Sequence, residues 1–185
     1  MIGAADTSDN WNHLSIIIGE RDVINQIHEK LKISSIHMRN LQKRDKDKVI
    51  TKLDIKSDIF CICLVVNSGS IIDNLLEDMR RDTRQSLRKH IQEQYDHVLF
   101  DEINKLCKEF LVTHRTTIEE IGFEIDNDLR RFFRLKGLRP DNPSIAHEIT
   151  DIIAYCNTKS KRLKNVKEMD ISNPITVSLT RRLGL

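Results

Sequence analysis

Asp6, Asp126 and Asp151 are far apart in the chain, yet each occupies a place from which a folded sheet could gather carboxylates. Asp6 follows the small apolar run Ile2-Gly3-Ala4-Ala5, and Asp126 closes the β-forming run that begins at Ile118. Asp151 sits in an isoleucine-rich stretch, with His147 one helical turn earlier and Glu148 three residues earlier. On a helix these three side chains can share a face while Ile149, Ile152 and Ile153 take the other. Hard divalent cations need several oxygen ligands converging from different elements, and two-metal nucleases use such acids to orient a water and stabilise both oxygens of an in-line displacement. An inward-facing acid patch is costly for a core unless a cation or hydrogen-bond donors neutralise it. The trio therefore points to Mg²⁺ or Mn²⁺, with Glu148 or Asp128 available as a fourth ligand. Each acid also has an ordinary alternative: Asp6 and Asp9 can cap a hairpin turn, Asp126 or Asp128 can cap the following helix, and Asp151 can pair with His147.

Gathering those acids requires strands and a crossing helix. Residues 1–6 and His13 to Gly19 are β-forming runs on either side of the turn-forming Asp-Thr-Ser-Asp-Asn, which predicts a β-hairpin. Val23, Ile24, Ile27 and Leu31 recur at helical spacing and predict an amphipathic helix over 21–32. Residues 34–42 read as a loop, and the charged stretch 43–56, with Val49, Ile50 and Leu53 as its apolar stripe, predicts a short surface helix. Asp58 to Asn67 is nearly continuous in β-formers, as expected of a central strand covered on both faces. Neither Gly nor Pro interrupts 71–112, and a straight helix of that length would run ~60 Å. That long helical segment is read either as two helices joined near 92–97 or as one helix with a polar middle.

Ile121, Phe123 and Ile125 alternate with Glu120, Gly122 and Glu124, which predicts a strand ending at Asp126. Residues 127–138 read as a short helix stopped by Gly137, with a strand as the alternative. Asn142-Pro143-Ser144 opens a helix through Asn157 whose buried stripe is Ile145, Ile149, Ile152, Ile153 and Cys156. The last stretch, from Asp170 with Pro174 within it, is read as an ordered tail across the surface.

With 185 residues, 6 Gly and 3 Pro, the chain fits one α/β domain with an aliphatic core and short loops. We divide it into a domain over 1–158 and a basic C-terminal extension, 159–185, packed on the same domain. No apolar run approaches the ~20 residues needed to span a bilayer, and the first ten residues lack the segments of a signal peptide. This favours a cytoplasmic protein. Cys61, Cys63, Cys107 and Cys156 fit no metal knuckle or disulfide framework and read as buried small hydrophobes. The net charge of +2 gives no global argument for nucleic acid, so any such argument rests on local patches.

Three motifs in order carry a resemblance. The opening G-A-A-D-T-S-D-N at 3–10 resembles the strand-ending D-E-S-G signature of a widespread RNase H-like domain family. A-H-E-I-T-D-I-I-A-Y, ending at Tyr155, is similar to that family's Q-x-A-D-x-x-A-Y helix, and F-E-I-D at 123–126 resembles its acidic strand end. The chain is also similar to a smaller group of archaeal proteins. The resemblance covers residues 1 to about 157 and implies an RNase H-like mixed sheet flanked by helices, with Asp6, Asp126 and Asp151 as metal ligands. It departs from the pattern where an acid is expected after the second strand: the chain has Ser35-Ile36-His37-Met38-Arg39, so His37 matches and the acid is absent. Asp9 stands where the family has Gly, and the strand expected before the closing helix is hard to find.

The function this implies is metal-dependent phosphodiester hydrolysis, with His147 or Glu148 completing the site and His37 assisting proton transfer. Basic residues flank the acids in two groups, one with Arg130, Arg131 and Arg134, the other with Lys159, Lys161 and Arg162; these are candidates for phosphate contacts or a plain solvated face. A third group, Arg80, Arg81, Arg84, Arg88 and Lys89, is interspersed with Asp78 and Asp82 and reads as a salt-bridged surface. Two other classes remain: an RNase H-like scaffold that binds nucleic acid or a protein without cutting, and a homodimer pairing through Leu87, Ile91 and Tyr95 of the 71–112 segment.

Overall fold

A computed structural model describes residues 1–8, 12–32, 37–77, 84–159 and 161–184. Asp9, Ser35, Asp78, Arg80, Arg81 and Asp82 lie outside the described residues. Six strands, β1 (Ile2–Ser8), β2 (His13–Gly19), β3 (Phe60–Val65), β4 (Gly122–Ile125), β5 (Arg139–Asp141) and β6 (Lys167–Asp170), form one mixed sheet in the order β5-β4-β1-β2-β3-β6. β1, β2 and β3 are an antiparallel meander; β4 and β5 run parallel to β1 on one side, and β6 runs parallel to β3 on the other.

The period-two alternation of the strands explains the two layers of helices. Leu14, Ile16, Ile18, Ile62, Leu64, Phe123 and Ile125 face one way, into a core with α3 (Ser68–Leu76), α4 (Arg84–Thr113), α5 (Asn127–Leu135) and α7 (Ser172–Leu183). Ile2, Ala4, Ile17, Cys61 and Cys63 face the other way, where Ile24 and Ile27 of α1 (Arg21–Leu31) and Ile149 and Ile153 of α6 (Ile145–Thr158) cover them. α2 (Lys43–Lys52) and a 3-10 turn at Met38–Asn40 extend this second layer beside α6. All four cysteines are free and buried. No helix among the described residues is long and apolar enough to cross a membrane.

Several expectations are corrected. β3 is one strand in from the edge, because β6 pairs with it. The tail is instead β6 and α7, with Ile171, Ile175 and Leu179 fully buried. The long segment holds two helices, α3 and α4, and α4 runs unbroken through 92–97, where one of the two alternatives placed a junction. The polar middle was only apparent, since Ile91 and Tyr95 are 1% and 3% exposed and Leu87 packs partly buried against the same core. The stripe expected to pair with a second copy is thus consumed within the chain. Ile145, expected in the buried stripe of α6, is exposed because it is the first residue of the helix. The strand that was hard to find is the short β5, and Gly137 ends the preceding helix with φ of +70°.

Candidate metal centre

β1 and β4 are parallel neighbours paired through Ala5 and Ile125, and one residue further along each chain come Asp6 and Asp126. The sheet therefore places two carboxylates side by side near the carboxyl ends of adjacent strands, where α/β sheets commonly bind ligands. Asp6 lies inside β1, which continues to Ser8, rather than at its end. Its side chain alternates onto the face covered by α6, the helix that packs across β1 and β2. His147, in the first turns of α6, reaches down to this pair: its Nε2 is 3.8 Å from Asp6 Oδ1. One ligand atom each from Asp6, Asp126 and His147 lie within 4.8 Å of one another.

The electrostatics follow from burial. Asp6 is pushed up to about 7, first by loss of water and then by the negative charges of Asp151 and Asp126; the Thr7 N–H, which donates to its Oδ1 at 2.8 Å, pulls only partly the other way. Burial lowers the pKa of His147, which favours the neutral ring, although Asp126 and Asp151 oppose the shift. The Nε2 atom of that ring is buried and has no hydrogen-bond partner. A buried acid raised by its neighbours' negative charge and an imidazole nitrogen without a hydrogen-bond partner thus form a group that could hold a metal ion.

Asp151 is close enough to raise Asp6 but is not one of the three residues whose ligand atoms converge. Its Oδ2 accepts the Met38 N–H at 2.7 Å and lies 2.9 Å from His37 Nδ1. The structure thus joins His37 to the trio through Asp151, and the expected Asp151–His147 pair is replaced by this one. Asp126 keeps its capping role alongside the site, accepting the Leu129 N–H at 3.1 Å at the start of α5.

Glu148, expected as a ligand, points elsewhere: its Oε2 lies 2.7 Å from His28 Nε2 and ties α6 to α1. At 3.6 residues per turn, Glu148 is rotated by about 100° around α6 from its neighbour His147, and that rotation is enough to send it to a different helix.

Glu124 was missed. Its side chain is buried in the sheet interior, with Oε1 3.1 Å from Arg21 Nη1 and Oε2 accepting the Ala146 N–H at 3.0 Å. It serves as the cap of α6, since Ser144 makes no side-chain capping bond. The signal was present in the alternation of β4: a glutamate on a strand flanked on both sides in the sheet and covered by a helix must carry partners with it.

The basic candidates divide. Arg130, Arg131 and Arg134 lie on α5, which begins immediately after Asp126; Arg131 and Arg134 are exposed, and Arg130 donates from Nη2 to Asn142 Oδ1 at 3.2 Å while its buried Nε has no partner. Lys159, Lys161 and Arg162 are exposed beyond the other end of α6, roughly 18 Å along the axis from His147, with Lys161 paired to Asp47 at 3.2 Å. Proximity in sequence to Asp151 did not bring them to the site. Comparison with protein-family models, with curated proteins and with solved structures finds no match for this chain.

Proposed function

We propose that this chain is a divalent-metal-dependent nuclease with an RNase H-like site. The observation that carries the reading is the convergence of Asp6, Asp126 and His147 within 4.8 Å, where Asp6 lies within β1 and Asp126 just after its parallel neighbour β4, beneath a helix that also bears Asp151. An acid on the first strand, an acid after its parallel neighbour and a helix crossing both is the arrangement that the RNase H-like resemblance implies, and the mixed sheet supports it. Asp6, Asp126 and His147 would hold the ion, which when bound lowers the pKa of a water and neutralises a phosphate.

The remaining roles fall to the chain's own groups. Asp151 is oriented by the Met38 N–H and His37, and the His37 ring, 58% exposed, is placed to exchange a proton with solvent beside the acids. Arg130, Arg131 and Arg134 give α5 a basic face one turn from Asp126, suited to holding the backbone of a nucleic acid.

One observation favours a second reading, a scaffold that binds nucleic acid or a protein without cutting. Glu124 and Glu148 are both engaged by other partners, so neither of these glutamates adds a ligand to the centre. A single assay separates the two. Labelled single-stranded DNA, duplex DNA, RNA and RNA–DNA hybrid are incubated with the protein and Mn²⁺ or Mg²⁺. The nuclease reading expects cleavage of at least one substrate, abolished by chelator and reduced about 100-fold or more in Asp126→Asn. Binding without cleavage in both ions establishes the scaffold instead.

A further inference from the structure

We infer that the centre takes a first-row transition dication through a nitrogen ligand, His147 Nε2, and selects such an ion over Mg²⁺. The inference rests on the metal-centre reading above and adds the identity of a ligand and the class of ion. Three observations lead to it. The group that converges is two carboxylates and an imidazole, not three carboxylates. The imidazole nitrogen that faces Asp6 is buried with no hydrogen-bond partner, and at 3.8 Å it is too far from Asp6 Oδ1 to share a proton with it. Glu148, the oxygen donor one residue along the same helix, is held away by His28 at 2.7 Å.

The distances suit one shared ion. Ligand atoms ~2.1 Å from a common cation lie ~3 Å apart when adjacent and ~4.2 Å apart when opposite. The separation of 3.8 Å between His147 and Asp6 falls inside that span, and the outer limit of 4.8 Å closes by small side-chain rotations. The chemistry then decides between ions. Mg²⁺ gives up its waters reluctantly and prefers oxygen, so a nitrogen among the fixed ligands contributes little to holding it. Transition dications accept imidazole readily, with affinity rising from Mn²⁺ through Co²⁺ and beyond. Mixed oxygen and nitrogen ligation therefore discriminates by ligand type where size alone does not.

The test uses the full chain stripped of metal and titrated with Mn²⁺ or Mg²⁺, following bound ion by Mn²⁺ electron paramagnetic resonance and by the rise in Tm. The expected result is Mn²⁺ binding about tenfold or more tighter than Mg²⁺. Nitrogen modulation from a coordinated imidazole should appear in the spin echo of bound Mn²⁺. In His147→Ala that modulation is lost and Mn²⁺ affinity falls about tenfold or more, a clearly larger loss than the same variant shows for Mg²⁺. His147→Gln keeps the side-chain volume and gives the same comparison if the alanine variant does not fold. Equal affinities for the two ions, or nitrogen modulation that persists without His147, overturn the inference. If Asp126→Asn still abolishes binding in that case, the metal centre stands and only its nitrogen ligand is removed. If the parent protein binds neither ion, the inference and the nuclease reading fall together.

Discussion

Asp6 concentrates the tension in this molecule, because a group well placed to hold a cation is also an acid the fold resists ionising. Its carboxyl is raised to about 7 by burial and by Asp151 and Asp126. An acid raised in the folded state holds its proton there after the unfolded chain has lost it, so the metal-free protein loses stability as pH climbs from about 4 to about 7. At ~1.4 kcal/mol per pH unit the total reaches a few kcal/mol. Asp6→Asn removes the charge and keeps the shape. Urea melts without metal at pH 8 are expected to show the variant more stable than the parent by ~1–3 kcal/mol, with the gain disappearing at pH 4. The same variant should no longer gain Tm from a dication. A metal-free parent whose stability does not change between pH 4 and 8 would sink this account. The types and order of the acids made Asp6 and Asp126 legible in the sequence. His147 was placed beside them but not ranked above Glu148, because helical spacing says which residues share a face and not which neighbouring helix will claim one of them.

Among the elements, α6 matters most, since it carries His147 and Asp151 and is itself held by a residue of the sheet. Glu124 satisfies the Ala146 N–H at the helix start and pairs with Arg21, so it sets where α6 begins relative to β4. Glu124→Gln can still accept from Ala146 but loses the charge opposite Arg21, whose own head is half exposed and returns partly to water; ~1–2 kcal/mol of destabilisation is expected. Glu124→Leu leaves a buried N–H without a partner and should cost ~3 kcal/mol or more by the same denaturant melts. If both variants match the parent, Glu124 does not cap the helix. β1 to β4 and α1, α2, α5 and α6 were readable because their apolar residues keep a single period over enough positions, whereas β5 and β6 are too short to show one. The unbroken course of α4 through 92–97 was hard to read for a physical reason. Arg88, Lys89, His90, Gln92 and Glu93 surround Ile91, so a narrow buried stripe looked like a polar interruption, although Ile91, Tyr95, Val98, Leu99, Ile103, Cys107 and Leu111 continue it along a 30-residue helix of ~45 Å.

At the scale of the whole molecule, residues 159–185 close the sheet rather than decorate it. β6 pairs with β3 through Ile62 to Val65, and α7 lies along α4 with Ile175 and Leu179 at zero exposure. The basic residues from Lys159 to Lys167 drew attention to charge, while the periodicity that marks α7, Ile175 and Leu179 at four-residue spacing, is short and follows a Pro174 that the first turn of a helix tolerates. Removing this segment by ending the chain at Thr158 would leave the β3 edge unpaired and strip Ile171, Ile175 and Leu179 from the largest core. Fully burying side chains of this size is worth ~1.5–3 kcal/mol each, so their loss alone approaches ~5 kcal/mol or more, against ~5–15 kcal/mol for an entire domain. The shortened chain is therefore expected to lose a cooperative thermal transition by circular dichroism and to aggregate through the exposed strand edge. A cooperative melt within a few degrees of the full chain would instead show that 1–158 is a self-sufficient unit. Because the proposed centre lies on β1, β4 and α6, on the far side of β2 and β3 from β6, such a unit would also be expected to keep its response to Mn²⁺.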